Sequence, residues 1–409
     1  MQKLKLASFF SGCGGLDIGF EGGFEVNLES IKNKRWISKT SGTKCVLRQT
    51  RFKTIFACDI KKSAKTSWEA YFKRKDTFHL ESIVDLVKKA KNNQFTFPEA
   101  DIVTGGFPCQ DFSIAGKRNG FNSHKTHSNK YVIDEPSIES RGMLYYWLRE
   151  AISIIKPKIF IAENVKGLAT LGDVKDIIAE DFRNINGGYI VVSPQILNAA
   201  NFGVPQNRER IFFVGIRKDL LSDEVKKKLL SNEISLYPTA THKNKDDFVS
   251  TSKIFEDLPE PEYSDDLSHQ KYSKAKWYGK HCQGQTEIDP NGIAPTIRAE
   301  HHGNIEYRRL SKENGGKIVN EYHLPQRRLS VRECARLQTF PDNYEFVSDE
   351  ISASEAYKLI GNAVPPLLGY HIAKHIESIW GTLFKEETII TDLTHPSTSA
   401  ILEKPFGWP

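Results

Sequence analysis

Short apolar runs alternate with stretches in which apolar residues recur every three or four positions through the first half of the chain. That alternation predicts an α/β fold with a doubly wound, mostly parallel sheet. Strands are predicted at Leu4–Phe10, Thr54–Cys58, Asp101–Thr104, Lys158–Ala162, Tyr189–Leu197 and Ile211–Ile216, with helices at Lys61–Phe72, Met143–Ile155 and Val174–Asn184 covering the sheet faces. After Arg217 the pattern breaks into a polar stretch, Lys218 to Gln326, which reads as a second, smaller irregular domain. Helical patterning returns at Val331–Thr339, Ala353–Ile360 and Pro366–Trp380, ahead of a Pro/Thr/Ser tail. The expected division is therefore 1–217, 218–326, a closing helical segment 327–385 that completes the first domain, and a tail 386–409.

Composition adds a setting. With 39% hydrophobic residues in 409 positions, the chain can bury a large core. It has no apolar run of about 18 residues and no basic-then-apolar leader, so no membrane span or export is expected and the cytoplasm is the default location. The cysteines at 13, 45, 58, 109, 282 and 334 form no CxxC pair and no Cys/His cluster, so neither a disulfide framework nor a metal site is expected. The net charge of +6 is unevenly spread: Lys32, Lys34, Arg35, Lys39, Lys44, Arg48, Arg51 and Lys53 fall between Ser30 and Cys58 without one acidic residue. Such a segment is either a polyanion-binding surface or a solvated hairpin.

Candidate chemistry gathers where predicted strands end. Gly105-Gly106-Phe107-Pro108-Cys109-Gln110 presents a cysteine at a turn, where it is either a nucleophile or a small buried filler. Phe10-Ser11-Gly12-Cys13-Gly14-Gly15-Leu16 follows the first strand, a place where backbone can approach a nucleotide-like ligand closely. Asp59 at the tip of the second strand suits ribose hydroxyls. Glu163, in Ala162-Glu163-Asn164-Val165, lies on the same predicted sheet edge as Cys109 and could exchange a proton there if burial raised its pKa. Arg208 and Arg210, alternating at a strand start, would share one face.

These stretches, together with Arg328-Leu329-Ser330-Val331-Arg332-Glu333-Cys334-Ala335-Arg336-Leu337 and Gly361-Asn362-Ala363-Val364-Pro365-Pro366, resemble the cytosine-5 DNA methyltransferases in motif and in order. The resemblance spans residues 6–370 and implies a Rossmann-like class I methyltransferase fold, with S-adenosylmethionine as cofactor and S-adenosylhomocysteine as product. It implies Cys109 as the nucleophile that adds to cytosine C6, Glu163 bonded to N3 and the exocyclic amine, and Arg210 with Arg208 holding the flipped nucleotide. Phe10, Gly12, Gly14, Gly15, Leu16, Asp59, Ile60, Ser82, Ile83, Pro108, Leu144, Asn362 and Ala363 would form the cofactor pocket. Gln110, Ser113, Lys117, Arg118 and Asn164 would contact DNA around the catalytic loop. The 218–326 region would be the target-recognition domain, with Arg298, His301, Arg308 and Arg309 either contacting bases or phosphates or, for some of them, only bracing the domain. Arg332, Glu333 and Arg336 read as braces between the domains. The implied partner is double-stranded DNA, acted on by a monomer, in a bacterial restriction–modification setting. An enzyme with a cognate nuclease and one without would read identically.

The chain departs from the family in two ways. Ser82 stands where relatives carry an Asp that bonds the adenine amine, and both the basic segment and the stretch from Gln110 to Arg141 are longer than usual. A nicotinamide-dependent dehydrogenase would share the Gly-rich turn and acidic strand tip but leaves Pro-Cys-Gln, Glu-Asn-Val and Gln-x-Arg-x-Arg without purpose. The family's tRNA-methylating branch lacks support because its Cys-Phe-Thr signature is absent from the second domain. A sequence-binding protein without activity is opposed by the presence of both Cys109 and Glu163.

Overall fold

The computed structural model describes residues 3–108, 143–276, 286–299, 305–316 and 324–384. Its strands are β1 (Leu4–Phe9), β2 (Glu25–Asn27), β3 (Ile37–Ser41), β4 (Lys44–Leu47), β5 (Phe52–Asp59), β6 (Phe78–Leu80), β7 (Ile102–Gly106), β8 (Ile159–Val165), β9 (Tyr189–Val191), β10 (Gln195–Asn198), β11 (Glu209–Arg217), β12 (Tyr307–Arg309) and β13 (Arg327–Arg328). Eight of them form one sheet in the order β10-β11-β8-β7-β1-β5-β6, with β9 also paired to β11. The run from β8 to β6 is parallel and β11 lies antiparallel against β8. The doubly wound α/β prediction holds.

Side chains alternate between the two faces of that sheet, as a period of two requires. Leu6, Ile102, Ile161 and Val214 enter one core with the helices Gly15–Glu21, Lys62–Phe72 and Pro366–Leu383. Ala7, Val103, Phe160 and Phe213 enter the other with Ile83–Lys91, Leu144–Ile155 and Val174–Arg183. Because β5 follows β1 on one side and β7 is added on the other, the chain reverses its direction of winding between β1 and β7. Ligands of open α/β sheets bind at the carboxyl ends of strands beside such a switch.

Two features differ from the sequence reading. The single strand expected over Tyr189–Leu197 is two, β9 and β10, both on β11. Pro194 lies between them and has no N–H for a continuous ladder. The basic segment after Ser30 contributes β3 and β4, which with β2 make a separate antiparallel sheet. The polar region after Arg217 is tied to the large core: Leu221, Leu229, Leu236, Val249, Ile254 and Phe255 are buried there, and Tyr237 donates its hydroxyl to the Phe212 carbonyl at 2.9 Å. Among the described residues no helix is long and apolar enough to cross a membrane.

Candidate active site

The carboxyl ends of β1, β5, β7 and β8 open onto a cavity of ≈ 220 Å³. On the β1 side its wall is the turn after Phe9, where Phe10 and Gly12 both take left-handed backbone angles, each with φ of 53°. For Phe10 that conformation costs on the order of 1 kcal/mol and is the kind of strain that collects at ligand sites. Gly15 has no room for a side chain, since a Cβ would lie 2.1 Å from the Val364 carbonyl oxygen. That contact seats the turn against Asn362 and Ala363, which also line the cavity. Gly14 sits outside the lining, at the cap of the helix Gly15–Glu21 against Trp68. Trp68 is in turn fixed by Nε1 donating to the buried Asp17 at 2.8 Å.

At the end of β5, Asp59 accepts from the Gly12 N–H and the Lys61 N–H, both at 3.0 Å, one on each carboxylate oxygen. Each oxygen keeps a lone pair for a hydroxyl donor. Burial pushes this carboxyl up, against those same N–H groups. Ile60, Ile83 and Leu144 add apolar walls. Ser82 lines the cavity too, and its hydroxyl accepts from the Val84 N–H at 3.2 Å as the cap of the helix Ile83–Lys91. A glycine turn, an acidic strand tip with spare acceptors and flat apolar walls suit a nucleoside cofactor. Lys61 and Glu81 also line the wall and escaped the sequence reading. Their position beside Asp59 and Ser82 was the available signal.

Opposite this cradle, β7 and β8 run side by side with Gly106 in register with Glu163. A Cβ at Gly106 would come within 3.1 Å of Glu163 Oε2, so glycine is what lets the carboxyl lie over the strand end. Glu163 is 7% exposed and its Oε1 meets Arg210 Nε at 3.0 Å. Desolvation raises its pKa, opposed by the charges of Arg210 and Arg208. Burial therefore outweighs the nearby guanidinium charges in the direction of the shift. Cys13 and Cys58 line the cavity as well, but burial pushes both thiols far up, which disqualifies them as thiolates. The structure is described to Pro108 on this strand exit, which lines the cavity. Cys109, Gln110, Ser113, Lys117, Arg118 and His301 lie outside the described residues.

Several expected contact residues are placed differently. Asn164 is buried, lines the cavity, donates to the Phe107 carbonyl at 3.1 Å and accepts from the Val165 N–H at 2.8 Å, so it fixes the exit of β7. Arg208 is fully buried and does not line the cavity beside Arg210. Its guanidinium donates to the carbonyls of Ile297 (3.0 Å), Gly361 (2.9 Å) and Ala363 (2.7 Å), tying the 294–299 strip to the cofactor-side turn. Gln206, two residues earlier, accepts from the Ile297 N–H at 2.9 Å and donates to Gln338 at 3.0 Å.

Arg308 and Arg309 both face carboxylates within the protein. Arg309 grips Glu260 with two bonds of 2.8 and 2.7 Å, while Arg308 lies 3.5 Å from Glu333 and stacks over Phe255. With Arg327, these arginines share the two carboxylates Glu260 and Glu333. Arg298 alone of the expected recognition arginines within the described residues is exposed. Arg332, Glu333 and Arg336 are all buried: Arg332 bonds Asp266, Glu333 bonds Arg327, and Arg336 bonds Asp342 and Asp257.

The model of the C-5 cytosine-specific DNA methylase family matches residues 4–378. The chain is 32% identical over 404 residues to the Type II methyltransferase M.BspRI of Lysinibacillus sphaericus, covering 94% of this chain and 84% of that one. It is 31% identical to M.BsuRI of Bacillus subtilis, covering 95% and 82%. Among solved structures it is similar to the methyltransferase EhMeth of Entamoeba histolytica, with a TM-score of 0.57 at 14% identity over 93% of this chain and 99% of that one, which speaks to the fold. The chain belongs to the C-5 cytosine-specific DNA methylase family and is a DNA cytosine-5 methyltransferase.

Proposed function

We propose that the protein transfers a methyl group from S-adenosylmethionine to C5 of a cytosine within a specific double-stranded sequence, through transient addition of Cys109 to C6. The observation that carries this reading is the buried Glu163–Arg210 pair, which shares one cavity with the Asp59 and glycine-turn cradle at the strand end leading into Cys109.

A stacked cytosine cannot reach such a cavity, so the base must leave the duplex at a cost of a few kcal/mol. The Cys109 thiolate then forms a bond to C6, and the electron pair of the C5–C6 double bond moves toward C5 and the ring. Glu163, as a carboxylic acid, holds its proton at N3 and so neutralises the charge that addition places there. Arg210 keeps that carboxyl oriented. When bound, S-adenosylmethionine supplies a methyl group on a sulfonium sulfur, the electrophile that C5 attacks. Loss of the C5 proton and breakage of the C6–sulfur bond return the ring to aromaticity and the thiolate to the protein. Asp59 would accept the ribose hydroxyls, with Phe10, Gly12, Gly15 and Leu16 beside the methionine and sugar. Ile60, Ile83 and Leu144 would flank the adenine, with Ser82 a neutral neighbour to it, and Pro108, Asn362 and Ala363 would close the pocket.

The 218–326 region would read the target, with Arg298 its exposed arginine. Relatives named Type II methyltransferases support a restriction–modification role in a bacterial cytoplasm, with the protein acting as a monomer on DNA that a cognate nuclease would otherwise cut. The test is transfer of labelled methyl to duplex DNA followed by base-resolution mapping of methylcytosine. Cys109→Ser is expected to reduce transfer by at least about 10³-fold while cofactor binding persists; undiminished turnover would overturn the mechanism.

A further inference from the structure

Within the basic stretch, β3 and β4 join β2 in the separate sheet β2-β4-β3, none of whose strands lines the cavity. Cys45 and Leu47 of β4 are buried in the large core, whereas Ser38–Ser41 of β3 are exposed and β3 is the outer strand. Arg51 and Lys53 lie at the start of β5, and the six remaining cations of the stretch divide into two groups. Lys44 bonds Asp342 and lies 3.1 Å from Asp257 and 3.5 Å from Glu25; Lys32 pairs with Asp247 at 3.1 Å. These two join the sheet to the rest of the molecule.

Lys34, Arg35, Lys39 and Arg48 form the second group. All four are exposed, and among the described residues no carboxylate stands within ion-pair distance of any of them. Arg48 Nε donates to the Arg35 carbonyl at 3.1 Å and the Arg48 N–H to the Trp36 carbonyl at 2.7 Å, which holds its side chain at the Lys34–Trp36 turn. Lys39 follows on β3, paired with Val46. The four charges therefore share one small scaffold. Around them, the Asn33 and Gln49 amides and the Thr40 hydroxyl are exposed, whereas the Ser38 hydroxyl donates to the Val46 carbonyl at 2.9 Å.

Their place in the fold separates them from the catalytic edge. Arg48 leads into β5 at the end where the Leu4 N–H donates to the Arg51 carbonyl, whereas the cavity lies past Phe9 at the other end of β1. Six strand residues put roughly 15–20 Å between the two edges. A duplex confined to the cavity mouth does not explain this surface.

We propose that the β2-β4-β3 sheet binds the phosphate backbone of duplex DNA beyond the segment held at the catalytic cavity. Unpaired Lys and Arg with hydroxyl, amide and open-edge N–H donors are the groups that contact phosphate without reading bases. Contact of this kind is independent of sequence and weakens steeply with salt as counterions are retained. The inference rests on the chain's being a duplex-DNA methyltransferase, and it adds a second, non-specific contact that lengthens residence on long DNA.

The experiment compares wild type with K34Q/R35Q/K39Q/R48Q on two duplexes carrying the same target, one just covering it and one several times longer. Wild type is expected to bind the longer duplex about tenfold or more tightly at low salt, and the variant to lose that advantage, with the slope of log Kd against log salt falling by about 0.9 per phosphate contact removed. Turnover on the short duplex stays unchanged, and the charge-conserving K34R/R35K/K39R/R48K protein keeps the length advantage. An unchanged length advantage and salt slope in the glutamine variant would overturn the proposal, leaving a solvated face or a surface for an acidic protein. Loss of short-duplex turnover in that variant would also overturn it. If wild type methylates neither duplex, the activity reading fails, while the length dependence of binding still decides this one.

Discussion

Glu163 and Glu333 are both buried carboxylates facing arginines, yet their proton affinities move in opposite directions. Burial works against the charge in both. Glu163 has one close guanidinium, Arg210 at 3.0 Å, and its pKa ends up raised. Glu333 has Arg327 on both oxygens at 3.0 and 2.7 Å, Arg308 at 3.5 Å and the Ser330 N–H at 2.7 Å, and these override desolvation to lower its pKa. The number of donors, not burial, decides the direction in which each carboxyl is shifted. A carboxylate that fastens a helix has its acceptor sites filled, whereas one that must meet a ligand keeps some of them open. The neighbouring Glu260 repeats the first case: burial raises it, but Arg309 and Arg327 hold it down at about 2.

Replacement of each carboxyl should separate chemistry from stability. Glu163→Gln keeps the shape and removes the transferable proton, so turnover should fall by roughly 10²–10⁴-fold. The melting temperature should fall less than in Glu333→Gln, because an amide oxygen can still accept from Arg210 Nε, the one close guanidinium. The wild-type rate should also decline as pH rises through the elevated Glu163 pKa, because only the protonated form can hold a proton at N3. The native state binds that proton more tightly than the unfolded chain, so the same group makes stability fall as pH rises from the ordinary glutamate value to the elevated one. A pH–rate profile without an alkaline limb attributable to Glu163 would break the contrast.

Glu333→Gln should act through the fold, destabilising by about 3–5 kcal/mol because a buried arginine loses its partner. Chemical denaturation would read it. The depressed Glu333 pKa gives stability that is complete above the ordinary glutamate value and lost as pH falls through the lowered one, the reverse of Glu163. Arg208→Met should cost about 3 kcal/mol by stranding the carbonyls of Ile297, Gly361 and Ala363. Its distinguishing effect is a weakened cofactor affinity with kcat less affected, since Gly361 and Ala363 line the cavity. Arg208→Lys should restore part of it. Equal losses in Arg208→Met and Arg208→Lys, with cofactor affinity unmoved, would reduce Arg208 to a packing element.

The sheet and its cavity were legible because their signals are local. Val103 and Ile161 sit in apolar runs that end at Gly105-Gly106 and Glu163-Asn164, so strand and site announce each other within a few residues. The sheet β2-β4-β3 was not legible. Ile37–Ser41 is an exposed strand of mostly polar residues with one half-buried position, which gives no alternation to detect. The choice between contact and brace at Arg308 and Arg309, and the bonding of Asn164, were not legible for a different reason. Their partners Glu333, Glu260 and Phe107 are supplied by folding from elsewhere in the sequence, and an arginine beside a recognition motif looks the same whether its charge is free or already paired. Arg208 and Arg210 show the limit most closely: alternation put them on one strand face, but only packing decides that one reaches the cavity and the other three carbonyls.

Duplex DNA carrying 5-fluorocytosine at the mapped target tests the covalent step most directly, because fluorine at C5 cannot leave as the proton does. With cofactor present, a denaturation-resistant protein–DNA adduct is expected, and peptide mapping should place the bond on Cys109. Active enzyme that forms no adduct, or one attached to any other residue, would contradict the account.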